Sequence, residues 1–292
     1  ISTHIQQTTG YAKVSYNLLK ELSVCNFLNI THFAIQPPSR KIAEMSRQYP
    51  ENVNVIVSCV SDHNGFGISQ LPSVIEKTKP DIIFIYNDIP TILNYLPINV
   101  EKYNTKIWVY IDTVYEYISG AIVQSLNQYC DMFFTFTPFW KDHLIQEGIE
   151  KPIHVLPHGV DSSIYFSISK VSARKTLNIP LDAFIFFSLN KNIPRKRLDI
   201  ATIAFARLVV KYPLKPLYLL AICDLGEYGG FPLFDIFARE IERLSGDIKY
   251  YAKRLLISPN ANKLTDEYVN LYYNATDVGI NTADGEGFGL CQ

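Results

Sequence analysis

The 292-residue chain reads as an α/β protein, two doubly wound units in tandem, each with a buried parallel sheet between helices. Three observations predict this. Short β-rich apolar runs alternate with helix-period segments along the whole chain. The runs are apolar on both faces, as strands covered by helices on both sides must be. A stretch of Pro, Gly and Asp, Leu156-Pro157-His158-Gly159-Val160-Asp161, closes one alternating series, and a second begins after it.

The elements follow in order. A first strand is expected at Ile1, then a helix in which Tyr11, Val14, Leu18 and Leu22 recur at helical spacing. Strands are expected over 30–35, 53–58, 81–86, 106–111, 132–136 and 153–156. Thr137 and Pro138 read as an N-cap and first turn, with Gly148 as the stop of that helix. After a boundary near 160–168, strands are expected over 183–189, 216–222, 254–257 and 277–280. A helix over 197–211 presents Leu198, Ala201, Phe205, Leu208 and Val209 on one side. Ligands of such sheets sit beyond the carboxyl ends of the strands, so two facing units make an interdomain cleft.

Composition narrows the function. A net charge of −1 argues against a dedicated nucleic-acid binder, which carries a basic face. No apolar run approaches the roughly 20 residues of a membrane span, so no transmembrane segment is expected. Five scattered cysteines, an odd number without C-x-x-C spacing, predict free thiols in a reducing, cytoplasmic compartment. No histidine shows zinc spacing and there is no D-x-D dyad, so no metal site is expected. Neither G-x-S-x-G, a Walker loop nor G-x-G-x-x-G appears, which lowers hydrolase, NTPase and dinucleotide-oxidoreductase readings.

Four constellations carry candidate chemistry. Gly10 follows Thr8-Thr9 at the start of the first helix, where a glycine lets a loop pass close to a ligand; an ordinary strand-to-helix turn is the plainer reading. The run Asn190-Lys191-Asn192-Ile193-Pro194-Arg195-Lys196-Arg197 follows a strand and opens a helix. Its cations and helix N-terminus favour a diphosphate. Glu286-Gly287-Phe288-Gly289-Leu290 follows the last strand, putting a carboxylate for sugar hydroxyls beside amides for oxyanions. Asn87-Asp88 and Asp112-Thr113 end strong strands of the first unit. Their carboxylates serve either to orient an acceptor hydroxyl or oxocarbenium-like centre, or to cap the next helix. His158 lies in the connection and reads as a structural hydrogen-bonding residue.

Taken together these residues resemble the retaining glycosyltransferases of family 4, with the GT-B fold. The resemblance runs through Gly10-Tyr11, the Thr137-to-Gly148 helix, Pro157-His158-Gly159-Val160-Asp161, the Asn190-to-Lys196 loop, the Tyr272-to-Asp277 lead-in and Glu286-to-Leu290. The Asn-, Ile- and Tyr-rich style suits a virus-encoded member. The resemblance implies an N-terminal acceptor domain over 1–165 and a C-terminal donor domain over 166–292. It implies that Lys196 neutralises the donor diphosphate, with Lys191 or Arg195 as second cation because Asn190 stands where many members have arginine. Glu286 would touch the donor sugar, and the amides of Gly287, Phe288, Gly289 and Leu290 would approach sugar and phosphates. Lys263 and Leu264, in 257–265, would flank the base. Asp112 is carried over as a catalytic residue, although Ile111 stands where many members have histidine. The second glutamate of the E-x7-E motif would fall at 294, past Gln292. That, with the opening at Ile1 and the missing terminal helix, predicts a truncated C-terminal part.

The implied reaction moves a hexose from a nucleotide diphosphate sugar to an acceptor hydroxyl, with no obligatory cofactor. GDP-mannose is favoured over UDP-glucose. The acceptor, whether a glycan or a protein- or lipid-linked one, is not encoded in any motif; loops such as 60–70 would select it. The alternatives are a nucleotide-sugar-binding or scaffold protein without turnover, or another GT-B enzyme such as an epimerase.

Overall fold

The computed structural model describes residues 1–38, 47–96, 100, 103–226, 228–258 and 264–291. It separates into two compact units: Ile1–Gly159 with Glu286–Leu290, and Val160–Gly285 with Cys291–Gln292. The sequence placed the division at 165/166; the contacts place it at 159/160 and assign five residues of the last loop to the first unit.

In the first unit, the elements are β1 (Ser2–Thr3), α1 (Gly10–Leu22), β2 (Ile30–Ile35), β3 (Val53–Val57), α2 (Leu71–Thr78), β4 (Ile82–Asp88) and α3 (Ile89–Leu93). There follow β5 (Lys106–Asp112), α4 (Gly120–Tyr129), β6 (Met132–Thr135), α5 (Pro138–Gln146) and β7 (Ile153–Val155). All pairings are parallel, in the ladders β1-β2-β3 and β4-β5-β6-β7. Ile1 joins the ladders: its carbonyl accepts from Tyr86 N at 3.0 Å and its amine donates to Phe84 O at 2.6 Å. The sheet order is thus 3-2-1-4-5-6-7, with its direction of winding reversing between β1 and β4. Ile83, Ile85, Ile107, Val109 and Ile111 point into one core, where each buried side chain contributes about 1.5–3 kcal/mol. Tyr86 and Tyr110 fill the other with Phe136 and Trp140.

The expected helix punctuation is present. The Thr9 hydroxyl caps α1 by accepting from Ala12 N at 3.2 Å, and Thr137 caps α5 through Trp140 N at 3.2 Å. Gly148 takes φ +101°, while Gly148 N and Ile149 N donate to Ile145 O and Leu144 O at 3.0 Å each. That is the Schellman closure which a glycine permits.

The second unit comprises α6 (Lys170–Thr176), β8 (Phe184–Leu189), α7 (Leu198–Lys211), β9 (Leu217–Ile222), α8 (Leu233–Arg243), α9 (Ile248–Tyr251), β10 (Leu255–Ser258), α10 (Asp266–Ala275) and β11 (Val278–Gly279). Its parallel sheet has the order β10-β9-β8-β11, so winding reverses between β8 and β11. The last strand is shorter than the expected 277–280, but Asp277 N and Ile280 N still bond Ile185 O and Phe187 O, at 3.1 and 2.8 Å. Helix α7 begins one residue after the expected 197, because Arg197 takes a left-handed φ of 48°. Behind the sheet, the Asp277 carboxylate accepts from Arg174 Nη2 at 2.8 Å, Lys170 Nζ at 2.7 Å and Ile185 N at 2.8 Å. One side chain therefore ties α6 to two strands.

Candidate functional site

In the second unit the loops after β8 and β11 flank the reversal point, where open α/β sheets bind ligands. They are fastened to each other. Asp284 N donates to Arg195 O at 2.9 Å, and the Thr282 hydroxyl bonds the carbonyls of Lys196 and Arg197 at 3.2 and 2.8 Å. The Arg195 guanidinium donates to Gly285 O. Arg197 pairs with Asp199 at 3.1 Å and with Asp284 at 3.5 Å. Lys196 ends the short turn Pro194–Lys196, immediately ahead of the α7 N-terminus, whose partial positive charge adds to that of the lysine.

A third loop, after β9, is clamped to this pair. The Asn192 side chain is fully buried; its Nδ2 donates to Phe231 O at 2.9 Å and its Oδ1 accepts from Phe231 N at 3.1 Å. One carboxamide thus satisfies both backbone groups of Phe231, as a strand neighbour would.

In the first unit, Glu286–Leu290 lie against the carboxyl ends of the central strands. Trp140 Nε1 donates to Gly287 O at 3.0 Å. Gly287 faces Asp112 so closely that a Cβ there would stand 2.0 Å from Asp112 Oδ1 and 2.9 Å from the Phe136 ring. The Phe288 ring meets those of Phe136 and His158, with centroids 6.1 and 5.0 Å apart. Leu290 approaches Gly10, where a Cβ would come within 3.2 Å of its Cδ1.

Beneath this segment lies an aromatic cluster. His158 Nδ1 is 2.9 Å from the Tyr110 hydroxyl, which itself donates to Leu156 O. The hydroxyl therefore accepts from His158, which fixes the Nδ1–H tautomer. Burial pushes the His158 pKa down to about 4, so the imidazole is neutral near pH 7. The Tyr86 and Tyr110 phenols are pushed well up, first by burial and next by the charge of Asp112. The Asp112 carboxylate and the Phe136 ring both lie on the side from which Gly287 approaches.

No family model matches the chain, and no curated protein sequence does. Solved structures do. Sucrose-phosphate synthase from Thermosynechococcus elongatus is similar with a TM-score of 0.71 at 15% identity, over 97% of this chain and 72% of that one. HepE of Anabaena, in complex with UDP and glucose, gives 0.67 at 14%, over 97% and 74%. A glycosyltransferase of Rickettsia africae gives 0.64 at 16%, over 94% and 69%. At such identities the likeness is one of fold. The fold is that of the GT-B glycosyltransferases, as the sequence led us to expect.

Several candidate residues take distinct places. Asn190 is buried, with its carboxamide oxygen accepting from Cys291 Sγ at 3.4 Å, while Lys191 is exposed. Glu286 is half-buried and adjoins Gly287, whose carbonyl is held by Trp140. Gly289 has φ +81°, a conformation that favours glycine. Leu264 packs on the core around Ile185 and Leu220, and Lys263 lies outside the described residues. Of the two strand-end carboxylates, Asp88 caps α3 by accepting from Thr91 N at 3.0 Å, which leaves Asp112 as the one facing the Gly287 segment. Among the described residues, no three His, Cys, Asp or Glu side chains gather as a metal site would need. Likewise, no helix among them is long and apolar enough to cross a membrane.

Sequence reasoning missed Asn192 and Trp140. Asn192 was in plain view inside the basic loop, but attention to cations passes over a carboxamide. Trp140 carried one signal, its position three residues after an N-cap threonine, which places it in the first turn of a helix that follows a strand.

Proposed function

We propose that the chain transfers a hexose, with retention of anomeric configuration, from a nucleotide diphosphate sugar to an acceptor hydroxyl. The observation that carries this reading is the fastening of the Lys196 turn to the loop after β11, which runs on within one residue of Gly285 into Glu286–Leu290. A cation at a helix N-terminus suits the diphosphate leaving group. Lys196 neutralises its growing charge; Lys191 stands nearby in the same loop as a second cation. Arg195, engaged with Gly285 O, holds the loops in register.

Glu286 accepts from the hydroxyls of the donor sugar. The amides of Gly287, Phe288, Gly289 and Leu290 line its approach, and Gly10 leaves room beside Leu290. Asp112 orients the acceptor hydroxyl or stabilises positive charge at the anomeric carbon. The second unit takes the donor, the first the acceptor, and no metal is required. Retention follows the resemblance to family 4, in which no enzyme nucleophile is required. The sequence favours GDP-mannose, while HepE structures hold UDP or UDP-glucose. By the family resemblance Leu264 would flank the base, as would Lys263, which lies outside the described residues. Five free thiols suit a cytoplasmic protein.

Calorimetric titration of GDP-mannose, UDP-glucose, GDP and UDP, with and without Mg²⁺, tests this on the wild-type chain and Lys196→Ala. One sugar nucleotide is expected to bind independently of metal. Lys196→Ala should lose about 1.5–3 kcal/mol, roughly ten- to hundredfold in affinity. Binding unchanged in Lys196→Ala removes the lysine from the site. Binding without any turnover identifies a scaffold in place of an enzyme.

A further inference from the structure

A cavity of about 310 Å³ opens on the first unit, lined by Glu116, Phe139, Asp142, His143 and Gln146, none of them assigned a role above. Its floor is one face of α5 and its wall the loop that follows β5 and Asp112. His143 Nε2 donates to Glu116 O, which holds that loop against the helix. Phe139 and His143 stack nearly parallel, with 7° between their planes and 6.3 Å between centroids, so the mostly buried imidazole holds the exposed Phe139 ring in place. Phe139 is 57% exposed, and Tyr115 and Tyr117 flank Glu116 at 60% and 83% exposure.

Of these exposed rings Phe139 lines the cavity itself and offers it an apolar face. The volume is at the lower end for ligand pockets, which run from about 300 Å³. The chemistry of the lining restricts the class of ligand. A flat aromatic face suits the C–H face of a pyranose, and the carboxylates of Glu116 and Asp142 with the amide of Gln146 suit its hydroxyls. The lining contains two carboxylates and no lysine or arginine, which disfavours sugar phosphates and other anions.

The cavity is also coupled to the Gly287 segment. Trp140, on the same helix, packs edge-on against Phe139 and His143 at 5.2 and 5.5 Å, and its indole N–H holds Gly287 O. From these observations we propose that the cavity is a subsite for a neutral pyranose unit of the acceptor glycan. The proposal deepens the transferase reading and rests on it for the word acceptor; the binding of a neutral sugar stands on the cavity itself.

Saturation-transfer difference NMR on the full chain tests it, with maltotriose, cellotriose, mannotriose and triacetylchitotriose as neutral probes, and glucose 6-phosphate and spermidine as charged ones. At least one neutral trisaccharide should bind. Phe139→Ala should weaken it about tenfold, the equivalent of one lost stacking surface of 1.4 kcal/mol, whereas Phe139→Tyr retains it. Asp142→Asn should weaken it less. Phe139 is exposed, so thermal melting of these variants should match wild type. Binding of spermidine alone, binding insensitive to Phe139→Ala, or no neutral sugar binding at all would each overturn the subsite. A parallel UDP and GDP titration separates the two readings: failure of nucleotide binding with sugar binding intact counts against the transferase and not against the subsite.

Discussion

Gly287→Ala tests the seat of the Glu286–Leu290 segment directly. The added methyl would stand 2.0 Å from Asp112 Oδ1, 2.9 Å from a Phe136 ring carbon and 3.1 Å from Asp112 Cγ. Ordinary contact begins near 3.4 Å, so methyl and carboxylate must separate by about 1.4 Å. Pairing with β4 fixes the Asp112 backbone while its carboxylate can turn; the Phe136 ring, packed on Tyr110 and His158, has less room to give. The segment is held by a hydrogen bond from Trp140 and by ring contacts of Phe288, so segment and Asp112 carboxylate share the displacement. Overpacking of this kind costs about 1–3 kcal/mol. A displacement of about 1 Å at a reacting centre costs on the order of a hundredfold in rate. The assay is kcat/KM from release of the nucleoside diphosphate, with thermal melting in parallel. Gly279→Ala is the control, because nothing lies within 4 Å of its Cβ position. We expect Gly287→Ala to lose at least tenfold in kcat/KM and a few degrees in Tm, and Gly279→Ala to lose neither. Turnover within about twofold of wild type in a folded Gly287→Ala protein would refute the reasoning, since a misplacement that size cannot be silent at a working site.

Two further outcomes follow from single side chains. Asn192→Ala leaves both backbone groups of Phe231 without their partner. It should destabilise the chain by about 1–3 kcal/mol and speed hydrogen exchange in the loop after β9; an unchanged melt would show the clamp to be dispensable. For His158, burial lowers the folded pKa from 6.5 to about 4, so the unfolded chain binds the extra proton between those values. Its contribution is therefore fully present above pH 6.5 and lost as pH falls toward 4. His158→Phe should flatten that part of the melting-temperature profile, and an identical pH slope in wild type and variant would contradict the assignment.

Much of the fold is legible from local pattern. Apolar runs of four to seven residues marked each strand from β2 to β10, and Thr137 with Pro138 and Gly148 bracketed α5, because capping and φ preferences act within a few residues. Boundaries slipped where a side chain took over from the backbone. Asp277 was counted into the last strand, yet its carboxylate is the anchor for Arg174 and Lys170. Asp88 and Asp112 occupy equivalent strand ends and pair in register, so sequence could not tell them apart. Only the capping bond from Thr91 N and the approach of Gly287 to Asp112 separate their roles.

The amino-acid sequence by itself determined the α/β class, the parallel strands, the cations of the Asn190–Arg197 loop and the glycine-rich run after β11. Each of these depends on neighbours a few positions apart. The tertiary structure alone decided which loops are fastened to the Lys196 turn, that Asn192 clamps the loop after β9, and that Gly287 rests on Asp112 under Trp140. Such contacts join residues 39 to 175 positions apart, and their geometry is set by strand order and helix packing rather than by any local preference.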